Sequence, residues 1–290
     1  MNNILVTGSN GQLGSELSKI APNYQDYNFL FTDVKDLDIT NHTAVAAFVE
    51  SNDIIVIINC AAYTAVDKAE EQKDVANAIN HLAVANFAQI AKDKNIKLIH
   101  ISTDYVFDGT NHKPYIETDI PNPQSVYGKT KLDGELVMQQ INPANSIIIR
   151  TSWVYSKFGN NFVKTMLRLA ETRDELSVVA DQIGSPTNAA DLAEAILNIL
   201  PQVSNETVEV FHYSNEGVCS WYDFAKAIFE IVNTKVKVNA IESAQYSTPA
   251  KRPFYSVLNK RKIKAGYQIE TPYWRESLYI CLNIIIEGRI

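Results

Sequence analysis

Cysteine is scarce. The 290 residues contain three, Cys60, Cys219 and Cys281. They lie far apart, are odd in number and form no C-x-x-C pair. That argues against a disulfide framework or a zinc site and favours a reducing compartment. A surplus of positive charge is also missing: 26 Lys and Arg stand against 33 Asp and Glu, a formal net charge of −7. No basic stripe stands out. A nucleic-acid binder normally carries one, so no nucleic-acid partner is expected. Long apolar runs are lacking too. The most apolar late stretch, "SLYICLNIII", is about half the length that a bilayer span needs. The opening "MNNILVTG" has no basic n-region and no cleavage-site pattern. Together these absences lead us to expect a cytoplasmic protein with no membrane association.

What remains is ordinary globular material, 46% hydrophobic and 20% charged. The length suits one large α/β unit, or a domain of typical size with a smaller partner. The first 150 or so residues alternate in one rhythm. "NILVTG" (3–8), "NFLFTD" (28–33), "IIVIIN" (54–59), "KLIHIST" (97–103) and "SIIIRTS" (146–152) read as strands. They are nearly continuous in Ile, Leu and Val, as strands covered on both faces are. Helical patterns lie between them, near 12–20, 41–51, 68–94 and 124–140. This repetition predicts an α/β fold, a Rossmann-type doubly wound parallel sheet. After about residue 152 the rhythm weakens. Helices are expected over 160–173, 188–200 and 220–233, a strand over 207–214 and a loop over 247–259. We therefore expect a dinucleotide-binding domain at 1–152 and a smaller C-terminal substrate-binding lobe at 153–290, interleaved with the last sheet elements.

"VTGSNGQLGSEL" follows the first strand and opens a helix, with Gly8, Gly11 and Gly14 in G-x-x-G-x-x-G spacing. Gly8 suits a tight turn, Gly11 close approach of backbone to a pyrophosphate, and Gly14 close helix–sheet packing. The alternative is a merely structural turn. Asp33 ends the second strand, 19 residues beyond Gly14. It is placed either to accept hydrogen bonds from an adenosine ribose or to sit in a solvated turn. Asp38 and Ile39 suit the flank of an adenine, although Asp38 to Thr40 equally suit the start of a helix. At the third strand end, Cys60 to Ala62 are small enough for a nicotinamide ribose to lie against the backbone. Tyr63 and Thr64 follow.

Two tyrosines stand four residues before a lysine: Tyr127 before Lys131, and Tyr222 before Lys226. With 14 Tyr in the chain, one such match is expected by chance. Context separates them. Tyr127 lies in the first turns of the helix after the fourth strand, where it can face Thr103 at that strand's carboxyl end, with Lys131 one turn on. Gly128 beside it suits a close approach by ligand or backbone. Tyr222 belongs to an amphipathic helix of the second lobe and reads as core.

The glycine loop, the hydroxyl residue at the fourth strand end and the Y-x-x-x-K motif resemble the extended short-chain dehydrogenase/reductase family. "STDYVFDG", "VYGKTKLDGE", "RTSWVY", "GNNFVKTMLRLA", "DQIGSPT" and "TPAKRP" resemble its nucleotide-sugar reductase branch. The resemblance runs from Met1 nearly to the C-terminus. It implies reduction of the C4 carbonyl of dTDP-4-dehydro-β-L-rhamnose to dTDP-L-rhamnose, with NADPH or NADH as hydride source. Tyr127 would be the proton donor. Lys131 would hold the nicotinamide ribose and stabilise the tyrosinate, and Thr103 would bind the carbonyl oxygen. Asp104 and Trp153 would contact the sugar nucleotide, although a Trp at that strand end equally suits a core between lobes. Further cofactor contacts are implied at Gln12, Leu13, Ile101 and Ala62 to Thr64, beside the glycines, Asp33, Asp38 and Ile39. A homodimer is implied as well, and Mg²⁺ bound by glutamates, with Glu16 at one matching position. The rival readings are a 4,6-dehydratase or 4-epimerase on the same scaffold, and a non-catalytic NADP-binding regulatory subunit. A dehydratase of this kind carries Asp-Glu after the threonine, whereas Asp104 is followed here by Tyr105.

Overall fold

The computed structural model describes residues 2–288. Five strands arise where the apolar runs predict them: β1 (Asn2–Thr7), β2 (Tyr27–Thr32), β3 (Ile54–Asn59), β4 (Lys97–Thr103) and β5 (Ser146–Thr151). A sixth, β6 (Glu209–His212), returns from the second half of the chain. They form one sheet in the order β2-β1-β3-β4-β5-β6, and every neighbouring pair is parallel. The order reverses after β2, which is the doubly wound arrangement expected.

Both faces are covered, which explains the continuous Ile and Val runs. On one face Ile4, Val6, Ile58 and Ile147 pack on Leu13 and Leu17 of α1 (Gln12–Ile20). Leu192 and Ile196, from the helix Ala189–Ile199, join the same cluster. On the other face Leu5, Ile57, Leu98 and Ile148 meet Val45 and Val49 of α2 (His42–Ser51) and Phe87 of α3 (Ala83–Lys94). Met138 of α4 (Val126–Ile141) completes that layer. A third cluster lies in the later half of the chain. Helices Phe162–Ala170, Trp221–Ile231 and Trp274–Glu287 surround Tyr155, Phe224 and Trp274 there. Tyr222 is partly buried against this cluster, and Lys226 is exposed.

One predicted element differs. The single helix expected over 68–94 is broken into Val66–Ala69, Lys73–Asn77, a π-helical turn at Ala78–Leu82, and α3. The widened turn serves Asn80, whose side chain accepts from Tyr63 N at 2.8 Å and donates to Tyr63 O at 3.1 Å and Thr130 Oγ1 at 3.2 Å. In this turn both the side chain of Asn80 (to Thr130) and its backbone carbonyl (beside Gly134) meet α4.

Helix α4 docks against this turn and against the end of β4 unusually closely. A Cβ on Gly134 would stand 2.2 Å from Asn80 O, and one on Gly128 would stand 2.2 Å from Tyr105 O. Replacing a helical glycine by alanine ordinarily stabilises by about 1 kcal/mol. Here the obstructing atom is backbone, and overpacking costs about 1–3 kcal/mol. Gly134→Ala is therefore expected to lower the urea midpoint of unfolding, with the helix propensity gain outweighed. A raised midpoint would mean that α4 is free to shift outward.

Candidate active site

The carboxyl ends of β1, β3, β4 and β5 open into a cleft of about 700 Å³. Its floor is the turn after β1. Gly8 has φ +67°, in the region that side chains disfavour, and a Cβ there would stand 2.7 Å from Ala61 N. Gly11 is the N-cap of α1 and no side chain caps this helix end. Gly11 N donates to Gly8 O at 3.0 Å, and the positive dipole end of the helix faces the cleft beside it. Gly11, Gln12 and Leu13 line the cleft. Gly14 does not; it lies beneath the loop, where a Cβ would collide with Gly8 O. Gln12 accepts from Asn161 Nδ2 at 2.9 Å and donates to Val154 O at 3.3 Å, so it ties α1 to the later half of the chain.

The end of β2 forms one flank. The Asp33 carboxylate accepts from Asn10 N at 3.0 Å and borders the cleft. Asp38 accepts from Thr40 N at 2.9 Å and Thr40 Oγ1 at 2.7 Å, contacts that hold its carboxyl below the usual range. Asp38 does not cap α2; Asn41 does, accepting from Ala44 N at 3.1 Å. Ile39 is mostly core and reaches the cleft with one edge. Ala62, Thr64 and Ile101 also line it. Tyr63 is absent from the lining: its hydroxyl donates to Gln72 Oε1 at 2.7 Å, and its backbone is held by Asn80.

Thr103, Asp104, Tyr127 and Lys131 come together at the other flank. Ser125 caps α4 and sets its first turn, which carries Tyr127. Burial pushes the Tyr127 phenol up to about 12; Thr103 pulls it down and the Asp104 charge adds to the rise. Lys131 is 1% exposed. Its Nζ donates to Ile101 O at 2.6 Å and stands 3.2 Å from His100 Nε2. Burial lowers it to about 8, against the pull of Glu135. Of the neighbouring charges, Asp104 adds to the rise of the Tyr127 phenol, while the Lys131 ammonium is turned to Ile101 O and His100.

Asp104 is 2% exposed, and burial raises its carboxyl to about 6. Thr103 Oγ1 donates to Oδ1 at 3.0 Å. Oδ2 has no partner of good hydrogen-bond geometry among the described residues, although the buried Ser256 hydroxyl stands near enough to pull the carboxyl down. A buried acceptor so incompletely satisfied beside a cleft has capacity for a ligand's donor. Opposite, Trp153 lines the cleft at φ +49°, a conformation that costs a bulky residue energy. Two contacts hold it: its ring stacks on Trp221 at 3.6 Å and 8°, and its indole covers Gly184, where a Cβ would collide with it.

The metal expectation for Glu16 is not supported. Glu16 is 3% exposed and accepts from Ser156 Oγ at 2.6 Å. Among the described residues no group of three or more His, Cys, Asp or Glu side chains is placed to hold an ion. Nor is any helix among them long and apolar enough to cross a membrane. Several residues that shape the site were not singled out from the sequence: Asn80, His100, Trp221 and the buried pair Arg150–Glu135, 2.6 Å apart. The available signal was polar residues inside apolar runs, such as His100 in "KLIHIST".

The family model described as the RmlD substrate binding domain matches residues 1–286. A dTDP-4-dehydrorhamnose reductase of Aggregatibacter actinomycetemcomitans is 46% identical over 96% of this chain and 97% of its own length. A dTDP-4-dehydrorhamnose reductase structure from Clostridium acetobutylicum superposes with a TM-score of 0.92 at 45% identity, covering 98% of this chain and 99% of the other. One from Bacillus anthracis, solved in complex with NADP, superposes at 0.93 with 40% identity, covering 98% and 100%. On sequence and fold alike, this chain belongs to the dTDP-4-dehydrorhamnose reductase family.

Proposed function

We propose that this chain reduces the C4 carbonyl of dTDP-4-dehydro-β-L-rhamnose to dTDP-L-rhamnose with NADPH or NADH. The observation that carries this reading is the convergence of Thr103, Tyr127 and Lys131 beside a cleft whose opposite end is a glycine turn and an uncapped helix N-terminus. That end suits a dinucleotide: Gly8 and Gly11 leave room for a pyrophosphate against the backbone, and the α1 dipole favours its charge. The nicotinamide, when bound, supplies the hydride.

The chain's own groups handle the proton and the positioning. Tyr127 is held protonated at neutral pH and donates to the oxygen that becomes the C4 hydroxyl. Thr103 orients that oxygen by turning its single hydroxyl proton from Asp104 Oδ1 toward it. Lys131 as an ammonium has three donors, two of them directed at Ile101 O and His100, and the third serves a ribose hydroxyl. Asp104 Oδ2 takes a hydroxyl of the sugar nucleotide, and the indole of Trp153 packs against it. Asp33 takes an adenosine ribose hydroxyl, with Asp38 and Ile39 flanking the adenine. Residues 1–152 would chiefly hold the cofactor and 153–290 the sugar nucleotide. A dehydratase reading is disfavoured because Tyr105 stands where a second carboxyl would be needed; burial raises its phenol well above its ordinary value, so it is no base.

The direct assay is loss of nicotinamide absorbance on adding purified protein to NADPH or NADH and dTDP-4-dehydrorhamnose. Tyr127→Phe should still bind NADPH but lose about 10²–10⁴ in kcat, while Tyr222→Phe stays near wild type. Equal losses would show that the two pairs had been wrongly separated.

Asp104 generates a pH dependence. Its raised carboxyl is charged above about 6 and protonated below. As pH falls through this value the open acceptor becomes a hydroxyl, so KM for the sugar nucleotide should climb about tenfold per unit. In Asp104→Asn that climb should disappear; its persistence would place the titration elsewhere.

Asp33 sets the coenzyme ratio. Its carboxylate favours a free 2′-hydroxyl, and the exposed Lys35 nearby offers a cation to a 2′-phosphate. Both coenzymes should therefore work, with kcat/KM values within about tenfold of each other, or ~1.4 kcal/mol. Asp33→Asn keeps an acceptor for Asn10 N and removes the charge, so the ratio should move toward NADPH. An unmoved ratio would take Asp33 off the ribose.

A further inference from the structure

Thr7, Asn59 and His100 are lateral partners across β1, β3 and β4, all on the face that α4 covers. Two residues earlier on each strand, the same face carries Leu5, Ile57 and Leu98. All three polar side chains are 0% exposed. They join into one row: Thr7 Oγ1 to Asn59 Oδ1 at 2.7 Å, Asn59 Nδ2 to His100 Nδ1 at 3.0 Å, and His100 Nε2 to Lys131 Nζ at 3.2 Å. Apolar replacements of similar shape would serve packing about as well, so a satisfied polar row in this layer calls for a reason beyond stability.

Hydrogen counting supplies one. With Asn59 Nδ2 donating to Nδ1, His100 carries its proton on Nε2, and Lys131 must face it as a neutral amine. If the Asn59 amide turns over, Oδ1 accepts from Nδ1–H and Nδ2 donates to Thr7 Oγ1. Nε2 is then an acceptor and Lys131 is an ammonium. The same heavy atoms satisfy both arrangements. We propose that His100 is a positioning residue for Lys131, and that the Thr7–Asn59–His100 row sets the proton state of that lysine by exchange between them.

The inference rests on the reading of Lys131 as part of the reacting set. Burial, with the Lys131 charge, holds His100 far below its usual pKa, so its ring is neutral in either arrangement. Lys131, near 8, reaches both states around neutral pH. The other ionisable groups nearby are committed. Glu135, on α4 itself, is paired with Arg150 of β5 and accepts from Ser102 Oγ of β4. His212 of β6 is held neutral by burial and by Arg150.

The test follows the ε-carbon of Lys131 by NMR titration in the full-length, ¹³C-lysine-labelled protein without ligands, alongside the pH profile of kcat/KM. His100→Leu removes the acceptor and should lower the Lys131 titration and the basic limb by roughly one pH unit. His100→Gln, which keeps an acceptor, should restore part of the loss. Asn59→Asp holds the proton on Nδ1 and should move both quantities upward. Because the new carboxylate would also raise Lys131 through space, the upward shift supports the proposal only if it is lost in the double variant, Asn59→Asp with His100→Leu, where no ring is left to relay it; a shift that survives there refutes it. Shifts of the same sign in His100→Leu and Asn59→Asp, or no shift in a folded variant, would overturn the proposal. If His100→Leu does not fold, His100→Gln takes its place in the single and double variants: loss of the Asn59→Asp upward shift in the double variant supports, and its survival, or no upward shift in Asn59→Asp itself, refutes. Should the titrations shift as expected while the wild type turns over no dTDP-sugar, the row stands and the functional reading falls.

Discussion

The close seat of α4 is the constraint on which the reactive corner depends. Two glycines let this helix press its backbone onto Tyr105 O and Asn80 O. Only from that distance does Lys131 reach Ile101 O, and only from there does Glu135 reach Arg150 and Ser102. The Arg150–Glu135 pair makes three hydrogen bonds in a fully dry environment. Such a pair adds little net stability over an apolar substitute, but losing one partner costs about 3–5 kcal/mol. It acts mainly as a register pin: α4 is satisfied at one position along β4 and β5 and left with a stranded charge at others. Tyr127, two turns before Glu135, inherits this fixed placement.

The later half of the chain is tied to the cleft by a second set of specific contacts. Gln12 reaches Val154 and Asn161, Ser156 reaches Glu16, and Arg252 pairs with Asp67 at 2.8 Å. Trp153 immediately precedes Val154, the end of one of these ties, and has a left-handed backbone. Its ring is stacked on Trp221 and seated over Gly184, and it lines the cleft. Strain of this kind persists only where surroundings over-determine it.

The sheet, and the gathering of Thr103, Tyr127 and Lys131 at one cleft, were legible because they obey local rules. Strands covered on both faces read as unbroken Ile and Val, and a glycine triplet between strand and helix has a physical purpose at each position. Tyr127 was separable from Tyr222 by the element preceding it. What escaped notice depended on register. Nothing in "KLIHIST" tells that His100 stands level with Asn59 and Thr7, because lateral alignment of parallel strands is set by crossovers far apart in sequence. Asn80 escaped for a related reason: a π-helical turn leaves the helical pattern almost unchanged, and its purpose appears only when Tyr63 and α4 are brought against it. Tyr63 shows the converse. Its sequence context suggests a cleft residue, yet Gln72 and Asn80 hold it aside.

Three ionisable groups in the cleft share one electrostatic theme. Burial raises Tyr127, raises Asp104 and lowers Lys131, each toward its neutral form. Their mutual positions then decide the order in which protons move. The Asp104 charge reinforces the protonated phenol, and Lys131 is turned toward His100 and Ile101 rather than Tyr127. The free cleft is therefore poised with its proton on the tyrosine. On the proposed reading, a group that is to give up a proton must first hold it, and a cation that stabilises the phenolate is most useful as that charge develops. A cation one helical turn from a phenol lowers its pKa by about 1–3, which from about 12 leaves Tyr127 protonated at neutral pH and still able to release the proton as negative charge develops on its oxygen.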